Sequence, residues 1–250
     1  MKIGIIGLGN LGRALLTGLI NTGIPPSDIH VCEISELVAE IGEKFKVHAT
    51  GDIDNVFSRC DVIFLTVKGH VFAEIAKNVT QPVSPSKTVV SLMAGVGFDT
   101  LYSQIGQCRI VRAMPTLAIS SNDGIIGYTE APAEIEALFS SLGYAFKCSP
   151  DEIEKVMAFS ACGLGFAAYL IDAFMKAGQS LGFSDNDSEE IAKITFRNAV
   201  DRGDFEETVK AVATKGGATE QGVLHMDGCD TYKIISEAMK KAYGRMTAFL

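Results

Sequence analysis

Three glycines mark where this chain could do chemistry. Gly7-Leu8-Gly9-Asn10-Leu11-Gly12 follows a strand-like run, Lys2–Ile6, and opens a helix-like one, Arg13–Asn21. In that setting the first glycine makes a tight turn and the second lets the backbone approach a pyrophosphate. The third lets helix and strand close on each other, while the helix N-terminus faces the phosphates. Glu33 stands 21 residues past Gly12, at the end of the next strand-like run, near the roughly 20 at which an acid meets a ribose. A carboxylate there hydrogen-bonds a 2′-hydroxyl and repels a 2′-phosphate, and Ile34-Ser35 offer no arginine to hold one, which favours NAD over NADP. The plain alternative is a solvated acid at a strand end, and Lys44 or Lys46 could still reach a phosphate.

Weaker signals lie further on. Leu65-Thr66-Val67-Lys68-Gly69-His70 ends a strand, where ligands of open α/β sheets collect, so Lys68 is placed near a cofactor or simply caps the strand. His70 has no placed partner and reads as a surface or packing residue before a general acid. Thr214-Lys215-Gly216-Gly217-Ala218-Thr219-Glu220 offers backbone N–H groups and a hydroxyl suited to a carboxylate, or an ordinary helix C-cap followed by a Thr N-cap. Ser160-Ala161-Cys162-Gly163-Leu164-Gly165 puts small residues within a long apolar run, which by itself indicates close helix packing with Cys162 an inert buried thiol.

The elements that must position these residues follow from periodicity. Up to Pro150 strand-like runs alternate with helix-like ones, among them Ile29–Cys32, Leu37–Lys44, a short strand at Val47, Val62–Val67, Val71–Val79, Thr88–Leu92 and Phe98–Leu101. Arg109–Ala113, Ile125–Tyr128, Ala133–Leu142 and Tyr144–Cys148 continue the pattern, giving a doubly wound parallel sheet over residues 1–150. After Pro150 strand signals vanish, and residues 151–250 read as all helix. Glu152 to about Leu181 is one long helix, followed by Ser188–Arg202, Phe205–Thr214, Thr219–Met226 and Thr231 to about Met246. The uncharged run Val156–Ile171 is apolar on nearly all faces and too long for this small domain to cover, so a partner subunit is expected to cover it. Its 16 residues fall short of the roughly 20 that span a bilayer.

Composition narrows the class. With 250 residues, 47% hydrophobic, 21% charged and a net charge of −8, the chain is globular and presents no overall positive field to nucleic acid or anionic lipid. A small molecule is the expected ligand. The six cysteines form no C-x-x-C pair and no zinc spacing, which points to reduced thiols, no metal and a cytoplasmic site of action. Glycines break the N-terminal apolar run before a secretory signal could form.

Together these residues resemble the pyrroline-5-carboxylate reductase family, along nearly the full length. The resemblance runs through Gly7–Leu15, Asp61–Lys68, Val89–Val96, Val111–Pro115, Ala158–Gly163 and, most specifically, Thr214–Gly222. It implies a Rossmann domain followed by a helical dimerisation domain, working as a homodimer or larger assembly on a small imino acid with NADH or NADPH. It further implies cofactor contacts from Gly7, Gly9, Asn10, Leu11, Gly12 and Glu33, and from Val67, Lys68, Ala94, Met114 and Pro115. Thr214, Gly216, Gly217 and Gly163 would hold substrate, with Thr219 both binding and catalytic and Ser160 catalytic. An imine once protonated is already an electrophile, so alignment plus one hydroxyl or water suffices and no metal is needed.

The chain departs from the family's pattern near the reaction site. Thr116-Leu117-Ala118 replaces Asn-Thr-Pro, Ala161-Cys162-Gly163-Leu164-Gly165 replaces Gly-Ser-Gly-Pro-Ala, Thr214 stands for a serine and Lys215 for a proline. These changes keep two rival expectations alive: a paralogue reducing another imino or oxo acid, and a catalytically silent dinucleotide-binding sensor. Related dehydrogenases place a catalytic lysine on the long helix; the one candidate, Lys176, follows Asp172 by four residues and reads more simply as half of a helix-surface ion pair.

Overall fold

In the computed structural model, which describes residues 1–33 and 36–247, β1 (Ile3–Ile6) lies at the centre of the first sheet half and is buried throughout. It leads into α1 (Asn10–Asn21), β2 (Ile29–Cys32), α2 (Val38–Phe45), β3 (His48–Thr50), α3 (Ile53–Arg59) and β4 (Val62–Leu65). Next come α4 (Gly69–Ile75), β5 (Thr88–Ser91), α5 (Phe98–Ile105), β6 (Arg109–Pro115), β7 (Gly124–Tyr128), α6 (Ala133–Ser141) and β8 (Gly143–Lys147). The sheet order is β3-β2-β1-β4-β5-β6-β7-β8.

Alternate residues of the central strands feed opposite faces, as a period of two requires. Ile5, Phe64 and Val90 enter one core with Leu15 and Leu16 of α1, Ile41 of α2 and Phe139 of α6. Ile6, Leu65 and Val89 enter the other with Val56 and Phe57 of α3, Phe72 of α4 and Leu101 of α5. Strands buried on both faces must be apolar throughout, which is why they read as continuous runs. Burying each such side chain contributes about 1.5–3 kcal/mol.

Two features of this half depart from the sequence reading. The sheet is parallel except between β6 and β7, which pair antiparallel through Met114↔Gly127. Their link is one short 3-10 turn, Leu117–Ser121, whereas a parallel return needs a crossover of a dozen or more residues. The second is α3, which the alternation passes over. Its N-cap Asp52 accepts from Asp54 N–H at 3.0 Å, and it buries Ile53, Val56 and Phe57.

The expected single helix from Glu152 is two. α7 (Ile153–Phe159) ends at Ser160 and α8 (Ala161–Ser180) begins beyond it. The Ser160 hydroxyl donates back to Val156 O at 2.7 Å, a bond that competes with the helix ladder and bends or interrupts it. α7 packs with the sheet: Ile153, Val156 and Met114 form a small core of their own. By packing, the first compact unit therefore extends beyond Pro150 to Ala161 and is rejoined by residues 242–247.

The second unit, Cys162–Lys241, is helical: α8, α9 (Asp185–Arg202), α10 (Phe205–Val212), α11 (Ala218–Gly228) and most of α12 (Thr231–Thr247). α8 buries none of its residues. Leu164, Tyr169 and Phe174 stay 50%, 72% and 45% exposed, so within one chain the apolar helix is not covered. Counted through the break at Ser160, Ile153–Ser180 spans 28 residues and is long and apolar enough to cross a membrane by length and composition alone; the shorter uncharged run had suggested otherwise. α7, within that span, is packed against the sheet of a globular unit.

Candidate active site

β1, β2, β4, β5 and β6 are mutually parallel, so their carboxyl ends lie along one edge of the sheet. Gly7, Glu33, Val67, Ala94 and Pro115 all fall at those ends. The chain runs outward from β1 to β3 and returns at β4, which makes the β1/β4 seam the switch point where open α/β sheets bind ligands.

The glycine loop is built for that seam. Gly7 has φ +96°, and a Cβ there would lie 2.4 Å from Val67 Cγ1. A Cβ on Gly12 would lie 2.1 Å from Gly7 O and 2.9 Å from Thr66 Oγ1, so the third glycine is fixed by close packing. Gly9 faces open space, with nothing within 4 Å of a Cβ, as a backbone meant to approach a ligand should. No side chain caps α1, and the N–H groups of Gly9, Asn10, Leu11 and Gly12 find no acceptor among the described residues. Four free donors at a helix N-terminus favour an anion.

Glu33 is positioned by the same loop. Leu8 N–H donates to Glu33 Oε2 at 2.9 Å, and Glu33 N–H donates to Thr50 O at 3.0 Å. The bond from Leu8 N–H ties the carboxylate to the glycine loop and orients it there. Beside it, burial first and the charges of Glu33 and Asp52 next push the Cys32 thiol up to about 11, which keeps it neutral and unreactive. Ile34 and Ser35 lie outside the described residues.

Nothing in its spacing marks Thr66, yet its hydroxyl lies 2.6 Å from Gly7 O and 2.9 Å from Ile6 O, donating into the turn and holding it. Its place at the end of β4, beside the glycine loop, is the signal that could have found it. Lys68 is exposed and starts α4 as its N-cap. His70 is exposed on α4 with no hydrogen bond among the described residues. Ala94 is half-buried and Met114 and Pro115 are buried. Thr116, where the resemblance puts an asparagine against the cofactor, is buried; its Oγ1 accepts from Ile125 N–H at 3.0 Å, and its own N–H donates to Ile125 O. The substitution is absorbed in closing β6 onto β7.

Ser160, expected to be catalytic, is buried at the end of α7 with its proton directed at Val156 O. Cys162 is half-buried rather than fully buried, and the burial it has raises its thiol. Lys176 Nζ lies 2.6 Å from Asp172 Oδ2, the surface ion pair that the spacing predicts.

In the second unit the glycine pair does not present its own N–H groups. Gly216, at φ +78°, donates to Glu220 Oε2 at 2.7 Å, and Gly217 donates to Thr214 O at 2.8 Å. Gly217, not Thr219, is the N-cap of α11. The donors left over are one step along: Ala218, Thr219 and Glu220 N–H have no acceptor among the described residues, and the exposed Thr219 hydroxyl is likewise unengaged. Thr214 is exposed, and its Oγ1 lies where a Gly217 side chain would start. Gly163 has open space at its Cα, with nothing within 4 Å of a Cβ.

Comparison with known proteins points to reductases of this class. Residues 2–95 match the family described as NADP oxidoreductase, coenzyme F420-dependent, and residues 150–248 match pyrroline-5-carboxylate reductase dimerisation. A pyrroline-5-carboxylate reductase of Staphylococcus epidermidis is 25% identical, over 94% of this chain and 92% of its own. Among solved structures, the Plasmodium falciparum pyrroline carboxylate reductase with NADP bound matches with a TM-score of 0.90 at 20% identity, over 100% of this chain and 98% of that one. The Coxiella burnetii pyrroline-5-carboxylate reductase matches with a TM-score of 0.83 at 26% identity, over 99% and 98%. The likeness to pyrroline-5-carboxylate reductases holds from end to end, across both the glycine-loop unit and the helical one.

Proposed function

We propose that the protein reduces 1-pyrroline-5-carboxylate to L-proline with NADH or NADPH, in the cytoplasm and as a homodimer or larger assembly. The observation that carries this reading is the pairing of two uncapped helix starts with different acceptors in view. At α1 four free N–H groups and an oriented Glu33 suit a dinucleotide. At α11 three free N–H groups and the Thr219 hydroxyl suit a small carboxylate.

The residues fit the cofactor: Gly9 leaves the open approach that a pyrophosphate needs, and Gly7 and Gly12 are already closed around the turn. Bound there, a reduced nicotinamide supplies the hydride. What the chain contributes is placement. Gly9 to Gly12 bind the pyrophosphate, Glu33 takes the ribose, and Val67, Lys68, Ala94, Met114 and Pro115 line the strand ends along which the rest of the cofactor extends. Gly216 and Gly217 shape the α11 start, whose N–H groups hold the substrate carboxylate alongside Thr214 and Gly163, and the Thr219 hydroxyl holds the proton at the ring nitrogen. Ser160, the expected catalytic serine, stands at the end of α7 with its hydroxyl donating to Val156 O. Alignment of two reactants supplies most of the rate, as an effective concentration does for any oriented pair.

The bare faces of α8 support the assembly, since Tyr169 and Phe174 need a cover that one chain does not provide. That cover is a second subunit rather than a membrane or nucleic acid. Glu33 supports a preference for NADH. The rival with a catalytic lysine finds no support, because Lys176 is already paired with Asp172. Incubation with 1-pyrroline-5-carboxylate and reduced nicotinamide should yield L-proline by amino-acid analysis; cofactor binding with no proline would overturn the reading.

A further inference from the structure

A buried ion pair in the first unit is used by nothing described so far. Arg112 of β6 and Glu154 of α7 are 3% and 4% exposed, and Nη2 donates to Oε1 at 2.5 Å. The contact is one-armed: Arg112 Nε is buried and has no acceptor among the described residues. Stability alone is a poor reason to keep such a pair. Removing water from both charges offsets most of their attraction, and a hydrophobic pair of equal volume often serves as well or better.

Its geometry suggests another reason. Arg112 and Met114 share one face of β6, two residues apart, and α7 lies on that face, with Ile153 and Val156 clustered on Met114. Val156 also seats against Gly127 of β7, where a Cβ would lie 2.6 Å from Val156 Cγ1. These apolar contacts set how close α7 comes to the sheet, but burial of apolar surface is non-directional and leaves slide and rotation weakly fixed. A hydrogen-bonded charge pair has direction. It is rooted on the strand that ends at Met114 and Pro115, and it grips the first turn of the helix that ends at Ser160.

We propose that Arg112 and Glu154 are a positioning pair: their contact sets the register of α7, and through it Ser160, against the carboxyl end of β6, without touching substrate or cofactor. The proposal rests on the reductase reading above, which places Met114, Pro115 and Ser160 at the reaction site.

The test compares the full-length wild type with Glu154→Gln, Arg112→Lys and the apolar double variant Arg112→Met/Glu154→Leu. Three quantities are read: kcat for imine reduction, NADH affinity by fluorescence, and Tm. In the double variant Tm should stay within a few degrees of wild type and NADH affinity within ~2-fold, while kcat falls at least ~10-fold. Recovery of kcat together with Tm would overturn the proposal, as would kcat and NADH affinity falling in parallel. Should the double variant fail to fold, Glu154→Gln, which keeps the shape and one acceptor, is judged by the same readings. Wild type that turns over no imine would sink the reductase reading itself; active wild type with unimpaired variants would sink only the positioning pair.

Discussion

Two glycine-led helix starts are built differently in this molecule. At α1 the glycines are locked, with Gly12 against Gly7 O and Gly7 against Val67, and Thr66 bonded across the turn. At α11 Gly216 and Gly217 are exposed or half-buried, and their N–H groups are turned back onto Glu220 and Thr214. The first loop is a finished cradle whose free donors need only an anion. The second is held by bonds on its own surface and offers its donors one position later. Preorganisation lowers the ordering cost of binding, so the α1 loop should take up an anion in a form close to that seen here, and the α11 loop, held only by bonds on its own surface, is where Thr214 and Lys215 can be accommodated.

The comparison breaks most sharply at Gly12. Gly12→Ala pushes a methyl into the Gly7 carbonyl, an overpacking cost of about 1–3 kcal/mol that falls on the cradle itself. NADH affinity should drop up to ~100-fold by fluorescence titration, and an unchanged affinity would show that the cradle is not the binding site. At the other start, Thr219→Ala should lower kcat/KM for the imine ~10- to 100-fold through one lost hydroxyl contact. NADH affinity should stay unchanged; equal loss of both would erase the division of labour between the loops.

A finer variant acts inside the first loop. Glu33→Ala with Ile34→Arg should raise the NADPH to NADH preference by ~10-fold, since a repelling carboxylate gives way to a cation. An unchanged ratio would separate Glu33 from the ribose despite its anchor on Leu8 N–H.

The smallest expected effect lies on the same strand as Cys32, where His30 is buried on β2 and stacks on His48 of β3 with ring centroids 4.6 Å apart. Burial above all, then the charges of His48, Lys2 and Arg59, lower its pKa from 6.5, with Asp28 opposing. A base whose folded pKa is depressed leaves the unfolded chain holding more protons, so the stability it contributes is present above pH 6.5 and lost as pH falls through the folded value. Melting temperature should decline below pH 6.5, and His30→Gln should flatten that slope; a slope unaltered by the substitution would assign it to other groups.

Much of the first loop was legible in the sequence because its determinants are local. Gly7, Gly9, Gly12 and Glu33 are spaced by the geometry of one strand-turn-helix-strand unit, and the apolar runs of β1 and β4 announce strands buried on both faces. What was not legible depends on contacts distant in sequence. The antiparallel turn of β7 follows from a short link, and α3 shows itself only once Asp52 is recognised as a cap. The break at Ser160 is marked by its hydroxyl donating to Val156 O, a contact that no periodicity reports. Gly216 and Gly217 were read as open donors, whereas Glu220 reaches back to occupy one of them. The Arg112–Glu154 pair joins residues 42 apart, and no periodicity reports such a contact.

The central claim is that the cradle at α1 and the loop at α11 serve one reaction. It is tested most directly by following reduced-nicotinamide absorbance with purified protein, 1-pyrroline-5-carboxylate and either NADH or NADPH. Substrate-dependent loss of absorbance, faster with NADH, is expected. Cofactor binding visible by fluorescence with no loss of absorbance for either nucleotide would contradict it and leave a dinucleotide-binding protein without this activity.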